Sequence, residues 1–211
     1  MQESTRGLIL LASKKLFNER GVYNVSLRQV AAELGISQGN LSYHFKKKED
    51  IIKELYYEFT EALNNEFSAT TKLGPNFYFV IELARKTFEA QFEYKFFLTD
   101  LHYIVNDIPE LATKVSELSK QRINQFNELF KVFVEKGYMR NAEYADEYEE
   151  LGSRLYILGV YSMLPVLAEF DGQKTKSLKK YLTIILSACY PYLSKEGKKR
   201  YATAVADYIV E

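Results

Sequence analysis

Residues 34–48 read LGISQGNLSYHFKKK, and few of these side chains suit a core. Gln38 and Asn40 carry amides that can bond an adenine edge in pairs, and Arg28, a little upstream, can do the same to guanine. Ser42, Tyr43, His44, Lys46 and Lys48 offer hydroxyl, imidazole and ammonium donors suited to phosphate oxygens. Gly39 sits among them at a cost of about 1 kcal/mol relative to alanine in a helix; close approach of the helix to a duplex would explain it. Taken singly, each feature has a plainer reading: a lysine run is a solvated face, a histidine is structural, a polar helix meets another protein. Together, in register, they favour DNA.

Three short helices must position these groups. The first spans residues 3–20, with Leu8, Ile9, Ala12, Leu16 and Phe17 as its apolar face and Gly21 as its stop. Ser26 and Gln29 form a capping box that opens the second, which turns Leu27, Val30, Ala31 and Leu34 inward. Gly35 supplies the left-handed turn of a helix-turn-helix. Ser37 caps the third helix, whose inward residues are Leu41 and Phe45. Ser26 and Ser37, at the two helix starts, join the candidate DNA contacts.

Charge points the same way. Residues 1–48 hold eight bases and three acids, a net +5, while the whole chain is neutral, so the remainder carries −5. A basic head on an acidic body suits a polyanionic partner. An enzyme is not expected. The two histidines, His44 and His102, have no nucleophile or zinc spacing around them, and no glycine-rich phosphate loop is present. Asp146-Glu147 and Glu149-Glu150 read as a solvated helix start. No catalytic, metal or cofactor residue is assigned. One cysteine, Cys189, and an N-terminus without a signal-peptide pattern predict a reducing, cytoplasmic setting. No apolar run is expected to approach a membrane span, and no membrane partner is expected.

Residues 17–49 resemble the DNA-binding domain of TetR-type transcriptional regulators. The match rests on Phe17, Gly21, Val30-Ala31, Gly35-Ile36-Ser37, Gly39, Leu41, His44-Phe45 and Lys48-Glu49, all in register without insertion. The resemblance implies that the third helix enters the major groove while Tyr43, His44 and Lys48 hold phosphates. Ser42 departs from the family, which places an aromatic there. The resemblance further implies an all-α chain: a three-helix helix-turn-helix domain over 1–48 and a larger helical ligand-binding and dimerisation domain over 49–211.

Apolar stripes fill out that body. A fourth helix starts near residues 47–49 and runs to about 70 through Ile51, Leu55, Phe59, Leu63 and Phe67. Gly74-Pro75 breaks the chain. A fifth follows Phe77, Val80, Ile81, Ala84, Phe88 and Phe92. A single sixth carries Phe97, Leu101, Ile104, Val105 and Ile108. Pro109 opens the seventh and Gly137 stops it. An eighth spans 145–170, a ninth 175–193 and a last 195–210.

Of 17 tyrosines and 14 phenylalanines, only Phe17, Tyr23, Tyr43 and Phe45 precede residue 49. Aromatic walls with a few polar groups build apolar ligand pockets. Phe88, Phe92, Phe97, Leu101, His102, Phe126, Phe130 and Phe133 are the candidate lining for a lipophilic or aromatic effector; ordinary core packing is the alternative for each ring. The eighth and ninth helices carry Leu151, Leu155, Leu158, Gly159, Leu182, Ile185, Leu186 and Cys189 as a candidate homodimer interface, with Gly152 and Gly159 on one face allowing close approach of a helix. A buried central helix in a monomer is the alternative. The family resemblance then implies a ligand-gated repressor on a near-palindromic double-stranded operator. A helical lipid- or protein-binding module that lost DNA binding is the rival reading.

Overall fold

The computed structural model describes residues 4–70 and 74–209; of residues 66–70 and 209 it describes the backbone alone. Among the described residues there is no named strand, and helices follow one another: α1 (Thr5–Arg20), α2 (Leu27–Glu33), α3 (Gln38–His44), α4 (Lys48–Thr70), α5 (Phe77–Glu93), α6 (Phe96–Thr99), α7 (Leu101–Asp107), α8 (Pro109–Glu135), α9 (Glu147–Tyr161), α10 (Met163–Ala168), α11 (Lys174–Cys189) and α12 (Lys195–Ile209). The expected start at Glu3, the end at Val210 and the side chain of Phe67 lie outside the described residues.

The first three helices form as their caps dictate. The Ser4 side chain accepts from the Gly7 N–H and starts α1. Ser26 and Gln29 close both halves of the capping box on α2. Gly35, at φ +65°, ends α2 in a Schellman turn: its N–H reaches the Ala32 carbonyl and the Ile36 N–H reaches Ala31. Ser37 then caps α3 through the Asn40 N–H. Ile9, Leu16, Phe17, Val30, Leu41 and Phe45 are buried together with Val22 and Val25. Leu8 departs from expectation and is exposed, while Leu10 and Ser13 are buried. At 100° per residue the buried arc centres on Ile9, Ser13 and Leu16, and Leu8 falls beyond its edge.

The chain divides into two compact units. One comprises residues up to Ala62 together with Ala90–Lys114; the other comprises Leu63–Glu89 and the residues from Val115 onward. In the first unit the three-helix head is thus packed with parts of α4, α5 and α8 and with all of α6 and α7. Phe17 meets Phe96 at 5.4 Å between ring centroids, and Phe97 meets Tyr56 at 5.6 Å and Phe59 at 5.7 Å. The Asn18 amide donates to the Glu93 carbonyl at 2.7 Å and accepts from the Phe96 N–H at 3.1 Å. Lys53 pairs with Glu110.

In the second unit, Phe77 contacts Phe133 and Tyr201, and Phe88 contacts Tyr181. A Cβ on Gly152 would lie 2.7 Å from Asn127 Oδ1, so α9 and α8 meet at a glycine. The Tyr181 hydroxyl, fully buried and with its pKa pushed up by burial, donates to the Gly159 carbonyl and joins α11 to α9. A Cβ on Gly197 would lie only 1.8 Å from the Tyr138 carbonyl oxygen, which fixes α12 against the turn after α8.

Three helices differ from the sequence reading. The single sixth is two, α6 and α7, divided at Asp100 (φ −113°, ψ 13°), whose carboxylate is drawn away to the Val22 N–H. The eighth is also two, divided at Ser162, because Pro165 supplies no N–H and its ring displaces the Tyr161 carbonyl from a helical bond. The ninth ends at Cys189, and Pro191 sits in the short 3-10 turn Tyr190–Tyr192 that follows. The expectation that no run approaches a membrane span also needs correcting. Glu147–Ala168 is long and apolar enough by composition, with Arg154 the only charge in residues 151–168. The break at Ser162 interrupts it, and its glycines are packed on α8 and α11.

Candidate nucleic-acid interface

The third helix presents the face its sequence suggested. Leu41 is fully buried and Phe45 is 2% exposed, anchoring α3 from beneath. Arg28, Gln38, Gly39, Asn40, Lys46 and Lys47 are exposed, and Tyr43 is 85% exposed. Ser42 and His44 are half-buried, and the His44 ring meets Tyr43 edge-on at 5.2 Å. Gln38, Asn40 and Tyr43 thus stand uncovered on one short helix, with Arg28 on α2 and Lys46 and Lys47 just beyond the end of α3.

Gly39 carries the sharpest geometric information. Its φ is ordinary, and a Cβ placed on it would have Ser37 Oγ, 3.9 Å away, as its nearest neighbour outside the helix backbone. Among the described residues, none crowds the position enough to require a glycine there.

Three candidate contacts are already engaged within the chain. The Lys48 ammonium donates to the Val22 carbonyl at 2.8 Å, tying α4 to the loop between α1 and α2 with one of its three N–H donors. The Ser26 hydroxyl donates to Gln29 Oε1 and accepts the Gln29 N–H, so its one proton is committed to the cap. The Ser37 hydroxyl accepts from Asn40 and keeps its proton.

Arg6 belongs to this region and the sequence reading missed it. Its guanidinium bonds the His44 carbonyl at 3.1 Å, pairs with both oxygens of Glu54 and lies 4.3 Å from the Phe45 centroid. No local pattern signals it, because the partners lie 38 and 48 residues away.

The expected pocket residues fall into two groups. Phe92, Phe97, Leu101 and His102 belong to the first unit; Phe88, Phe126, Phe130 and Phe133 belong to the second. His102 is exposed and bonds Asn106 at 3.1 Å, an arrangement of a surface residue. Phe97, Phe88, Phe130 and Phe133 are buried against other rings. Among the described residues of the second unit, an open groove of about 610 Å3 runs between α8 and α9, lined by Asn124, Asn127, Asp146, Glu149 and Arg154 among others. None of the eight expected residues lines it.

The expected dimer residues are largely consumed within the chain. Leu151, Leu155, Leu182, Ile185 and Leu186 are buried in the single protomer; Leu158, Gly159 and Cys189 are half-buried, and Gly159 is bonded by Tyr181. The apolar surroundings push the Cys189 thiol up to about 12. Among the described residues of α9, α10 and α11, the large apolar side chains left uncovered are Ile157 (53% exposed), Tyr161 (54%) and Leu164 (38%). Ile157 and Tyr161 are one turn apart on α9, and Leu164 follows on α10. The spacing was readable in the sequence, but the more regular leucine stripe hid it.

A capped two-helix turn that supports a short, polar, uncovered third helix defines a helix-turn-helix protein. Comparison with known proteins gives the family. The family described as "Bacterial regulatory proteins, tetR family" matches residues 9–55, and the family described as "Bacterial transcriptional repressor" (TetR) matches residues 58–201. The chain belongs to the TetR family of transcriptional regulators. An HTH-type transcriptional regulator from a bovine strain of Staphylococcus aureus is 29% identical over 118 residues, 56% of this chain and 62% of that one. The chain thus spans less than two thirds of that relative's length. A crystal structure of a TetR-family regulator from Marinobacter aquaeolei superposes with a TM-score of 0.87 at 25% identity, over 98% of this chain and 99% of that one. A regulator from Saccharomonospora viridis, solved in complex with choline, shares the fold at a TM-score of 0.73 and 19% identity, over 92% and 100% of the two chains.

Proposed function

We propose that this chain is a homodimeric repressor that reads a near-palindromic operator through α3 and leaves it when a small lipophilic or aromatic effector binds the body. The head corresponds to residues 1–48 and the effector and dimer functions to residues 49–211. The observation that carries the DNA-reading part is Gly39, a glycine that no neighbour in the chain requires, set in an uncovered row of Gln38, Asn40 and Tyr43. Gln38 and Asn40 address base edges, with Arg28 beside them; Tyr43, His44, Lys46 and Lys48 address phosphates. Ser42, shorter than the family's aromatic, reaches a phosphate only at close range.

The uncovered row of Ile157, Tyr161 and Leu164 supports dimerisation. Charge supports it as well. The start of α9 is acidic, with Glu149 and Glu150 exposed, and the start of α11 carries the exposed bases Lys176 and Lys179. A two-fold pairing that runs these helices past each other brings opposite charges together.

Selection from a random duplex pool tests the reading. The wild-type chain should enrich a near-palindrome whose half-sites lie about 34–36 Å apart. Failure to enrich any sequence would overturn it. Addition of lipophilic aromatic compounds should release the selected duplex; shifting occupancy from 99:1 to 1:99 needs about 5.5 kcal/mol of difference in effector affinity between the two states.

A further inference from the structure

Arg6 joins three elements of the first unit. It stands in the second residue of α1, yet its Nη1 donates to the carbonyl of His44, the last residue of α3. Nε and Nη2 bond the two carboxylate oxygens of Glu54 in α4, a fork-to-fork pair. The guanidinium plane also rests over Phe45, the residue that caps α3.

The need for such a device follows from α3 itself. Seven residues are too few for a helix to persist alone. Its last carbonyls have no partner within the helix. Ser37 secures one end; at the other, only residues 45–47 separate α3 from α4. A lysine could supply the charge but neither the fork nor the stacking. Glu54 places a negative charge beside a head proposed to meet a polyanion, so direct electrostatics gives no reason to keep it.

We propose that the Arg6–Glu54 pair is a positioning clamp that sets the angle of α3 against the duplex, and so governs sequence discrimination without touching a base or a phosphate. The proposal rests on the reading of α3 as the DNA-reading helix. The clamp makes a prediction of unusual sign. Glu54→Gln removes a negative charge, which by simple electrostatics tightens DNA binding, whereas a loosened clamp weakens the specific complex.

The test uses the full chain, the duplex enriched by the wild type, and a scrambled duplex of equal length, with fluorescence anisotropy across a range of KCl. Glu54→Gln should bind the enriched duplex about tenfold more weakly and the scrambled duplex no more weakly, with an unchanged salt slope. Arg6→Lys, which keeps the charge, should show the same loss. Circular dichroism at the assay temperature reports the folded fraction, and a loss explained by missing helix would overturn the clamp. So would a Glu54→Gln variant that binds the enriched duplex as tightly as the wild type. An Arg6→Gln variant that weakens both duplexes alike and lowers the salt slope by about one would instead make Arg6 a phosphate contact and overturn it too. A wild type that enriches no duplex overturns the DNA-reading function, and the clamp with it; an enriched duplex with an indifferent Glu54→Gln overturns the clamp alone.

Discussion

The carboxylate of Asp100 accepts the backbone N–H of Val22 at 2.7 Å, a bond between residues 78 apart in the chain. It ties the turn between α6 and α7 to the loop that separates α1 from α2. Gly21 lies beside it, at φ +78°, with a would-be Cβ only 3.3 Å from the same oxygen. The head is thereby held by a charge-assisted bond that removal of one side chain would open. Asp100→Ala should lower stability by about 1–3 kcal/mol, the cost of leaving the Val22 N–H without its charged acceptor. Urea denaturation would measure it, and an unchanged midpoint would refute it.

Gly39→Ala separates folding from recognition. The site has room for a methyl group, and alanine suits a helix better, so the melting midpoint should stay or rise. Binding to the selected duplex should fall at least tenfold. If the variant binds as the wild type does, the glycine does not serve close approach.

Gln38 and Lys46 should fail in different ways. Gln38→Ala should relax preference at one or two base pairs, by about 1–3 kcal/mol of discrimination, with little change in salt slope. Lys46→Ala should weaken binding to every duplex and lower the slope by about one. Lys48→Ala should do likewise but also lower stability, because its bond to the Val22 carbonyl is lost. Identical profiles for Gln38→Ala and Lys46→Ala would contradict this division.

Glu147 is an acid-sensitive point of the second unit. The Arg140 guanidinium, bonded to both its oxygens, and then the Glu143 N–H hold its carboxyl down at about 2. A depressed carboxylate stabilises the fold fully above its unfolded value near 4.5, and that contribution is lost as pH falls toward 2. Wild-type stability should therefore decline through this window. Glu147→Gln should be less stable at neutral pH and lose less on acidification. Denaturation curves at pH 7, 4 and 3, compared between the two proteins, would show whether the slopes differ.

Ile157→Lys places a charge in the uncovered apolar row of α9. The wild type should sediment as a dimer at micromolar concentration and the variant as a monomer, with helix content retained. A dimeric variant would locate the interface elsewhere.

The caps show how much of this protein its sequence determined alone. Ser26 with Gln29, Ser37, Gly21, Gly35 and Gly137 act through bonds or backbone conformations a few residues long, so their positions could be read directly. The alternation of Leu41 and Phe45 with polar neighbours likewise fixed which face of α3 would be left uncovered. Pro165 and Pro191 were just as local, and the helix breaks near them were available to the sequence reading, although the strong apolar stripes concealed them. What the tertiary structure decided were the partnerships between distant residues. Asp100 leaves its own helix to bond Val22, Gly152 is filled by Asn127, and Arg6 finds His44 and Glu54. Leucines that looked ready for a second subunit are covered by the chain's own helices, which leaves Ile157, Tyr161 and Leu164 outside. A helical period says that a stripe will be buried, but it contains nothing about which surface buries it; that is settled only when all the stripes compete for the same core.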